Sequence, residues 1–110
     1  MEPASQPALA AALNRLWTQF QPQIEQKVAA LEAAATGLAA GTLTIAERKQ
    51  AGSAAHKLAG VLGTFGLATG TILAREAEVF YSRDLQNDPA AAVRLNEIAV
   101  QLRAMVASRE

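Results

Sequence analysis

The sequence lacks cysteine, has a single histidine, His56, and carries no net charge, with ten basic and ten acidic residues. The absence of cysteine excludes disulfides, thiolate zinc sites and cysteine nucleophiles. One histidine supplies too few ligands for a small metal-dependent hydrolase, so we expect no metal site and no cofactor. Because the charges balance, the protein has no net positive potential to attract polyanions, which argues against binding to nucleic acids or anionic membranes. The composition does not exclude binding to another protein.

No run approaches the roughly 20 apolar residues of a membrane span, and the start of the chain lacks the basic and apolar regions of a secretory signal. We therefore expect a cytoplasmic location. A length of 110 residues suits one domain with one hydrophobic core. Prolines and polar residues at the start predict a flexible leader over residues 1–7, followed by a single helical domain over residues 8–110.

Apolar residues recur at three- and four-residue spacing along the chain, and no strand pattern competes with them. Pro22 interrupts the first part, so the sequence predicts a short helix before it and a longer one from it to Gly41. Short connections favour antiparallel neighbours. We predict an all-α fold: an antiparallel up-down four-helix bundle with an additional short N-terminal helix. A monomer is expected, because one bundle would use all the apolar stripes.

Local signals mark the ends of the later helices. Thr44 and Glu47 have the spacing of a capping box, which would begin the helix that carries the histidine. Gly66 is expected to end that helix. The Asn-Asp-Pro sequence at 87–89 is typical of an exit turn, an N-cap and a first-turn proline, and predicts the start of the last helix.

The helix surface around His56 is poor in side chains. On a helical wheel three glycines fall within about 40° of the histidine, although an interior glycine costs about 1 kcal/mol relative to alanine. This indicates that another protein must approach closely. The predicted partner-docking face comprises Gly52, Ser53, Gly60, Gly63 and Lys49.

Leu58 and Leu62 lie on the opposite side of the same wheel, so His56 is predicted to point away from the core. The alternative is that the histidine has a structural role and that the glycines permit another helix to cross closely. Lys49 and Ser53 argue against that alternative, because a crossing helix would bring apolar neighbours. Glu76 and Glu78, on another predicted helix, are expected on solvated faces.

The run from Ala55 to Gly66 resembles the signature of histidine-containing phosphotransfer (HPt) domains. That signature is Ala-His, any residue, Leu-Lys-Gly, and a glycine ten positions after the histidine. The matching residues are Ala55, His56, Leu58, Gly60 and Gly66. The length and the helical pattern also fit that family's four-helix bundle, so the resemblance spans essentially the whole chain.

The sequence departs from the signature at Ala59, where the family has a lysine that helps to hold the incoming phosphoryl group. Lys57 and Lys49 are candidates to replace its charge. Lys57 is the predicted phosphoryl-stabilising residue, and a solvated face is the alternative for both lysines.

The resemblance implies a phosphorelay intermediate in which His56 accepts a phosphoryl group from an aspartyl-phosphate receiver domain and passes it to another receiver. A neutral imidazole has a free lone pair and needs no separate base. No phosphate-binding loop accompanies it, so the domain is expected to be a phosphocarrier without a kinase site. The implied partners are response-regulator receiver domains, which would bring magnesium, and a hybrid sensor histidine kinase. The alternative is a non-transferring adaptor, or pseudo-HPt domain, that docks receivers.

Overall fold

The computed structural model describes residues 5–86 and 88–109. Within those ranges it contains no strand, which confirms the all-α class. The four helices are α1 Ser5–Ala40, α2 Ile45–Thr64, α3 Ala68–Tyr81 and α4 Pro89–Ser108. The histidine helix of the sequence analysis is α2.

The first helix differs from the prediction. α1 is one helix of 36 residues with Pro22 inside it, so the additional short N-terminal helix is wrong. An interior proline costs about 3 kcal/mol, but the buried face continues in register across it, since Trp17, Ile24 and Val28 are all in the core. Packing of this continuous face holds the backbone helical through the proline.

Helical structure also begins earlier in the chain than the sequence predicted. Residues 5–7, predicted as leader, belong to α1, while residues 1–4 lie outside the described part of the chain. Pro7 falls in the first turn, where backbone N–H groups have no partner within the helix, so its missing donor costs no hydrogen bond.

The capping box that begins α2 is confirmed. The Thr44 hydroxyl accepts a hydrogen bond from the backbone N–H of Glu47 at 3.1 Å, and the Glu47 carboxylate accepts one from the backbone N–H of Thr44 at 2.9 Å. The second of these bonds lowers the pKa of Glu47, because it favours the charged carboxylate. The position of His56 along the bundle is thereby set by a local signal.

The other predicted helix ends are also confirmed. Asp88 caps α4 by accepting from the backbone N–H of Ala91, and Pro89 occupies the first turn. Asn87 lies outside the described residues. Gly66 has a φ of 74°, a left-handed conformation that glycine adopts without strain, and it lies in the connection 65–67 between α2 and α3.

The helices pack in a ring: α1 on α2, α2 on α3, α3 on α4, and α4 back on α1. In the described part of the chain the backbones of the diagonal pairs stay farther apart than those of neighbouring helices, as expected for an up-down bundle. Leu58, Ile98 and Leu102 are fully buried between the helices. At one end of the bundle the ring of Trp17 packs edge-on against Phe65, with centroids 5.2 Å apart.

Several large apolar side chains remain outside this core. The exposed ones are Leu9, Leu16, Phe20, Ile45, Ile72, Val79, Val93 and Val100. The expectation that one bundle uses all the apolar stripes is therefore wrong, and the monomeric state stays a prediction.

Candidate functional site

His56 lies in the middle of α2 with its side chain 74% exposed. Its neighbours Ala55 and Leu58 are fully buried, so the helix turns its apolar side inward and the imidazole outward. This confirms the orientation predicted from the wheel and leaves the ring accessible to another protein.

A carboxylate from the next helix holds the imidazole. Nδ1 of His56 lies 2.8 Å from Oε2 of Glu78 in α3. An ionised carboxylate only accepts hydrogen bonds, so Nδ1 carries the hydrogen and Nε2 keeps its lone pair. The contact lies at the surface, since Glu78 is 37% exposed. The site therefore contains an oriented imidazole with its second nitrogen available.

The sequence analysis missed the role of Glu78, which it assigned to a solvated face. A wheel drawn for one helix contains no information about a neighbouring helix. The available signal was the short connection around Gly66, because a tight antiparallel hairpin brings residues at similar distances from the turn side by side. His56 and Glu78 lie ten and twelve residues from Gly66.

Two of the three glycines near His56 face α3. A Cβ placed on Gly52 would lie 3.5 Å from Cβ of Tyr81, and one placed on Gly63 would lie 3.3 Å from Oγ1 of Thr71. These glycines allow α3 to approach α2 closely, while Gly63 is exposed and Gly52 is half-buried. Their part in docking stays a prediction.

Gly60 behaves differently from the other two. A Cβ placed on it would meet nothing within 4 Å, and it lies one helical turn beyond His56. Lys49 and Ser53 are also exposed. In the predicted docking face Gly60, Gly63, Lys49 and Ser53 are thus exposed, and Gly60 has the most open space above its backbone. The role of this face in docking stays a prediction.

Position 59, where the signature has lysine, lies under α3. Ala59 is only 4% exposed, and its backbone carbonyl accepts a hydrogen bond from the Thr71 hydroxyl at 2.8 Å. Lys57 is exposed, but it projects about 100° around α2 from the histidine. Neither position places a cation on the side of His56 that faces Glu78.

An open groove of about 460 Å³ adjoins the histidine. Its lining residues are Arg48, Lys49, Gly52, Ser53, His56, Glu78, Tyr81 and Ser82. Arg48 donates to the backbone carbonyl oxygens of Tyr81 and Arg83, at 2.8 and 3.0 Å, and so fixes the end of α3. Lys49 is thus the cation of this groove that has no partner among the described residues.

Tyr81 belongs to the packing beneath the groove. Its hydroxyl is buried and has no hydrogen-bond partner in the described part of the chain. Burial raises its pKa to about 12, because the charged phenolate is poorly solvated there. The hydroxyl therefore stays protonated at neutral pH.

Two features are absent from the described part of the chain. No group of three or more acidic, cysteine or histidine side chains is arranged to hold a metal ion. No described helix is both long and apolar enough to cross a membrane.

Comparison with known proteins supports the sequence resemblance. The chain is 39% identical to Protein RcaC of Microchaete diplosiphon over 74 residues, which is 67% of this chain and 11% of that protein. The chain thus corresponds to a small part of this relative. No solved structure gives a significant match.

A model of the Hpt domain family matches residues 15–108. The matched range contains the whole of α2 and α3, with His56 and Glu78 at their contact. It also reaches the last residue of α4 and covers most of α1. The chain therefore belongs to the Hpt domain family.

Proposed function

We propose that this domain is a phosphorelay intermediate in which His56 accepts a phosphoryl group from the aspartyl phosphate of one receiver domain and passes it to another. Family membership assigns the domain to phosphotransfer in two-component signalling, with receiver domains as the class of partner. The observation that carries the finer proposal is the His56–Glu78 hydrogen bond. It holds an exposed imidazole by Nδ1 and leaves Nε2 without a partner among the described residues.

The proposed chemistry begins with the lone pair on Nε2 of His56, which attacks phosphorus in line with the bond to the aspartate oxygen. The N–P bond forms as the P–O bond breaks, and the aspartate leaves as a carboxylate with the bonding electrons. Nδ1 keeps its hydrogen, so the product is a phosphorylated imidazolium and no general base is needed. The Glu78 carboxylate stabilises the positive charge on the ring. The same steps in reverse return the phosphoryl group to a carboxylate.

The rest of the catalytic apparatus is assigned to the partner. Phosphoryl transfer depends on positioning and on stabilisation of charge on the phosphoryl oxygens, commonly by a metal ion. We assign the magnesium ion to the receiver domain, and a hybrid sensor histidine kinase is a candidate source of phosphoryl groups. The domain itself acts as a phosphocarrier. Its cytoplasmic location stays a prediction.

The proposed receiver contact centres on the bare backbone beside His56. A receiver must bring phosphorus to within bonding distance of Nε2, and the open space at Gly60 leaves room for it. Lys49 and Ser53 extend this surface along α2. Gly52 and Gly63 support it indirectly, because they let α3 carry Glu78 close to the imidazole.

An adaptor that docks receivers without transferring phosphate is the second candidate. The observation that favours it is Ala59, which puts no charge where the family has lysine and is buried under α3. An adaptor needs the exposed surface around Gly60, but it gives no chemical reason for an oriented imidazole.

The deciding experiment incubates the purified protein with a phosphorylated, magnesium-bound receiver domain. We expect acid-labile, alkali-stable label on the wild type and none on His56→Gln, which has no other histidine to accept it. Alkaline hydrolysis and comparison with standards should identify phosphohistidine substituted at Nε2. Label at Nδ1 would contradict the assigned role of Glu78. Receiver binding without label, across several receivers, would favour the adaptor.

A further inference from the structure

The structure raises the question of which residue supplies the positive charge that position 59 does not. The side chain at 59 is a buried alanine, and the Thr71 hydroxyl binds its backbone carbonyl. A phosphoryl group on Nε2 of His56 would carry its negative charge across the imidazole ring from the Glu78 carboxylate, which lies 2.8 Å from Nδ1. Like charges repel, so a nearby cation would lower the energy of the phosphorylated state.

The cations of α2 are poorly placed for this role. Arg48 is engaged with backbone carbonyl oxygens at the end of α3. Lys49 lies about 10 Å along the helix axis from His56, since the two are seven residues apart. Lys57 projects from the flank of α2 that faces away from α3, because Gly52 and Gly63 mark the flank that α3 contacts.

The pairing of α2 with α3 points to a cation on the second helix. Gly63 lies beside Thr71, and His56 beside Glu78. Because the two helices run antiparallel, one turn beyond His56 in α2 corresponds to one turn before Glu78 in α3. The residues at that level are Ala59 and Gly60 in α2 and Ala74 and Arg75 in α3, and Arg75 is the cation among them.

Arg75 is exposed and has no hydrogen-bond or ion-pair partner among the described residues. It lies three positions before Glu78, so the Cβ atoms of the two residues are neighbours at about 5–6 Å. The structure contains no ion pair between Arg75 and Glu78 within the described ranges, because the Glu78 carboxylate binds His56.

We propose that Arg75 binds the oxygens of a phosphoryl group on Nε2 of His56 and takes the place of the family's lysine, an inference that rests on the proposed function. The open space over Gly60, which no Cβ fills, is the route along which the guanidinium reaches the phosphoryl group. The planar guanidinium donates two parallel hydrogen bonds to phosphoryl oxygens. Its charge also offsets the repulsion between the phosphoryl group and Glu78.

The test uses phosphoramidate, a small donor that phosphorylates histidine without a receiver, so that docking does not enter the measurement. The variants are Arg75→Ala, Arg75→Lys and, as a matched control, Lys57→Ala. All three replace exposed side chains, and circular dichroism and thermal unfolding would check that each retains the fold.

We expect Arg75→Ala to slow labelling of His56 by about three- to tenfold, as for one charge-assisted hydrogen bond that is partly exposed. Arg75→Lys should recover part of the rate, Lys57→Ala should match the wild type, and the difference should shrink at high salt. Phosphorus NMR supplies a readout that a structural role would not move. The phosphoryl group should titrate at a lower pH in the wild type than in Arg75→Ala, because a neighbouring cation favours its dianion.

Two results would overturn the assignment. One is that Arg75→Ala matches the wild type in the rate of His56 labelling, in the rate at which the label is lost and in the pH at which the phosphoryl group titrates. The other is the expected loss in Lys57→Ala instead, which would return the role to α2. A wild-type protein that takes no label on His56 from phosphoramidate or from any receiver would instead contradict the proposed function itself, and the role of Arg75 with it.

Discussion

The two flanks of α3 use the same residue type in different ways. Glu78 faces α2 and binds Nδ1 of His56. Glu76, two residues earlier and about 200° around the helix, faces α4, where its Oε1 accepts from Nη2 of Arg94 at 2.8 Å. The Arg94 hydrogen bond lowers the pKa of Glu76. One carboxylate thus orients an exposed imidazole, while the other links two helices.

Two glycines also differ in their surroundings, since one is exposed and the other is buried. Gly60, beside His56, has open space where a Cβ would be, whereas a Cβ on Gly70 of α3 would lie 2.8 Å from Cδ1 of Leu62 and 2.9 Å from Sδ of Met105. The first glycine keeps a surface clear, and the second lets α3 pack between α2 and α4. The neighbours, and not the residue type, decide what each position does.

The largest effect is expected at the exposed glycine. Gly60→Leu should keep the fold but reduce transfer from a receiver by about a hundredfold or more, because small displacements of the reacting atoms cost that much. Labelling by phosphoramidate should persist at no less than the rate of Arg75→Ala, since that donor needs no protein contact and the leucine would block only the guanidinium. Normal receiver transfer in the folded variant would refute the steric role of Gly60.

The two glutamates provide the next comparison. Glu78→Ala should slow phosphorylation of His56 by about ten- to a hundredfold, through loss of a hydrogen bond to a charged group, and Glu78→Gln should fall between it and the wild type. Glu76→Ala is the matched control and should label at the wild-type rate. Equal rates in all of these proteins would show that the Glu78 contact has no chemical role.

Substitution of the buried glycine should lower the stability of the fold without changing the phosphorylation of His56. Gly70→Val should lower the free energy of unfolding by about 1–3 kcal/mol, as expected for overpacking of a filled core, because Leu62 is fully buried and has little room to move. Urea unfolding would measure this. The rate of His56 labelling in the folded fraction should be unchanged, in contrast to the variants at Gly60 and Glu78.

The smallest effect concerns the ion pair between Glu76 and Arg94, whose side chains are 35% and 36% exposed and therefore screened by solvent. The pKa of Glu76 is lowered in the folded protein. The ionised carboxylate therefore stabilises the fold at a pH above its unfolded-state pKa, and this stabilisation is lost as the pH falls through the folded-state pKa. Lowering the pH from about 5 to about 3 should therefore reduce the free energy of unfolding slightly more for the wild type than for Glu76→Gln. Urea unfolding at each pH would measure the difference. An identical pH dependence would show that the pair contributes nothing.

Local signals predicted the fold where the structure depends on local chemistry. The Thr44–Glu47 capping box and the Asp88 cap are short-range hydrogen bonds, and Gly66 meets a conformational requirement of the backbone. Pro22 misled the prediction for the opposite reason. Its local penalty is real, but the buried face of α1 that continues across it outweighs that penalty.

The site was predictable only in part. The apolar stripe of α2 determines which way His56 points, and that orientation is confirmed. The Glu78 contact and the positions of Gly52 and Gly63 depend on how α2 and α3 are aligned, which no single-helix pattern contains. The buried state of Ala59 likewise follows from α3.

The connection at residues 65–67 determines more than the direction of the chain. His56 and Glu78 belong to one hairpin, so three residues determine how the imidazole is rotated relative to the carboxylate that binds it. Inserting one residue there would turn α3 by about 100° relative to α2 or shift it by about 1.5 Å. Changes in loop length, which helical bundles usually tolerate well, would in this domain alter the proposed reactive centre.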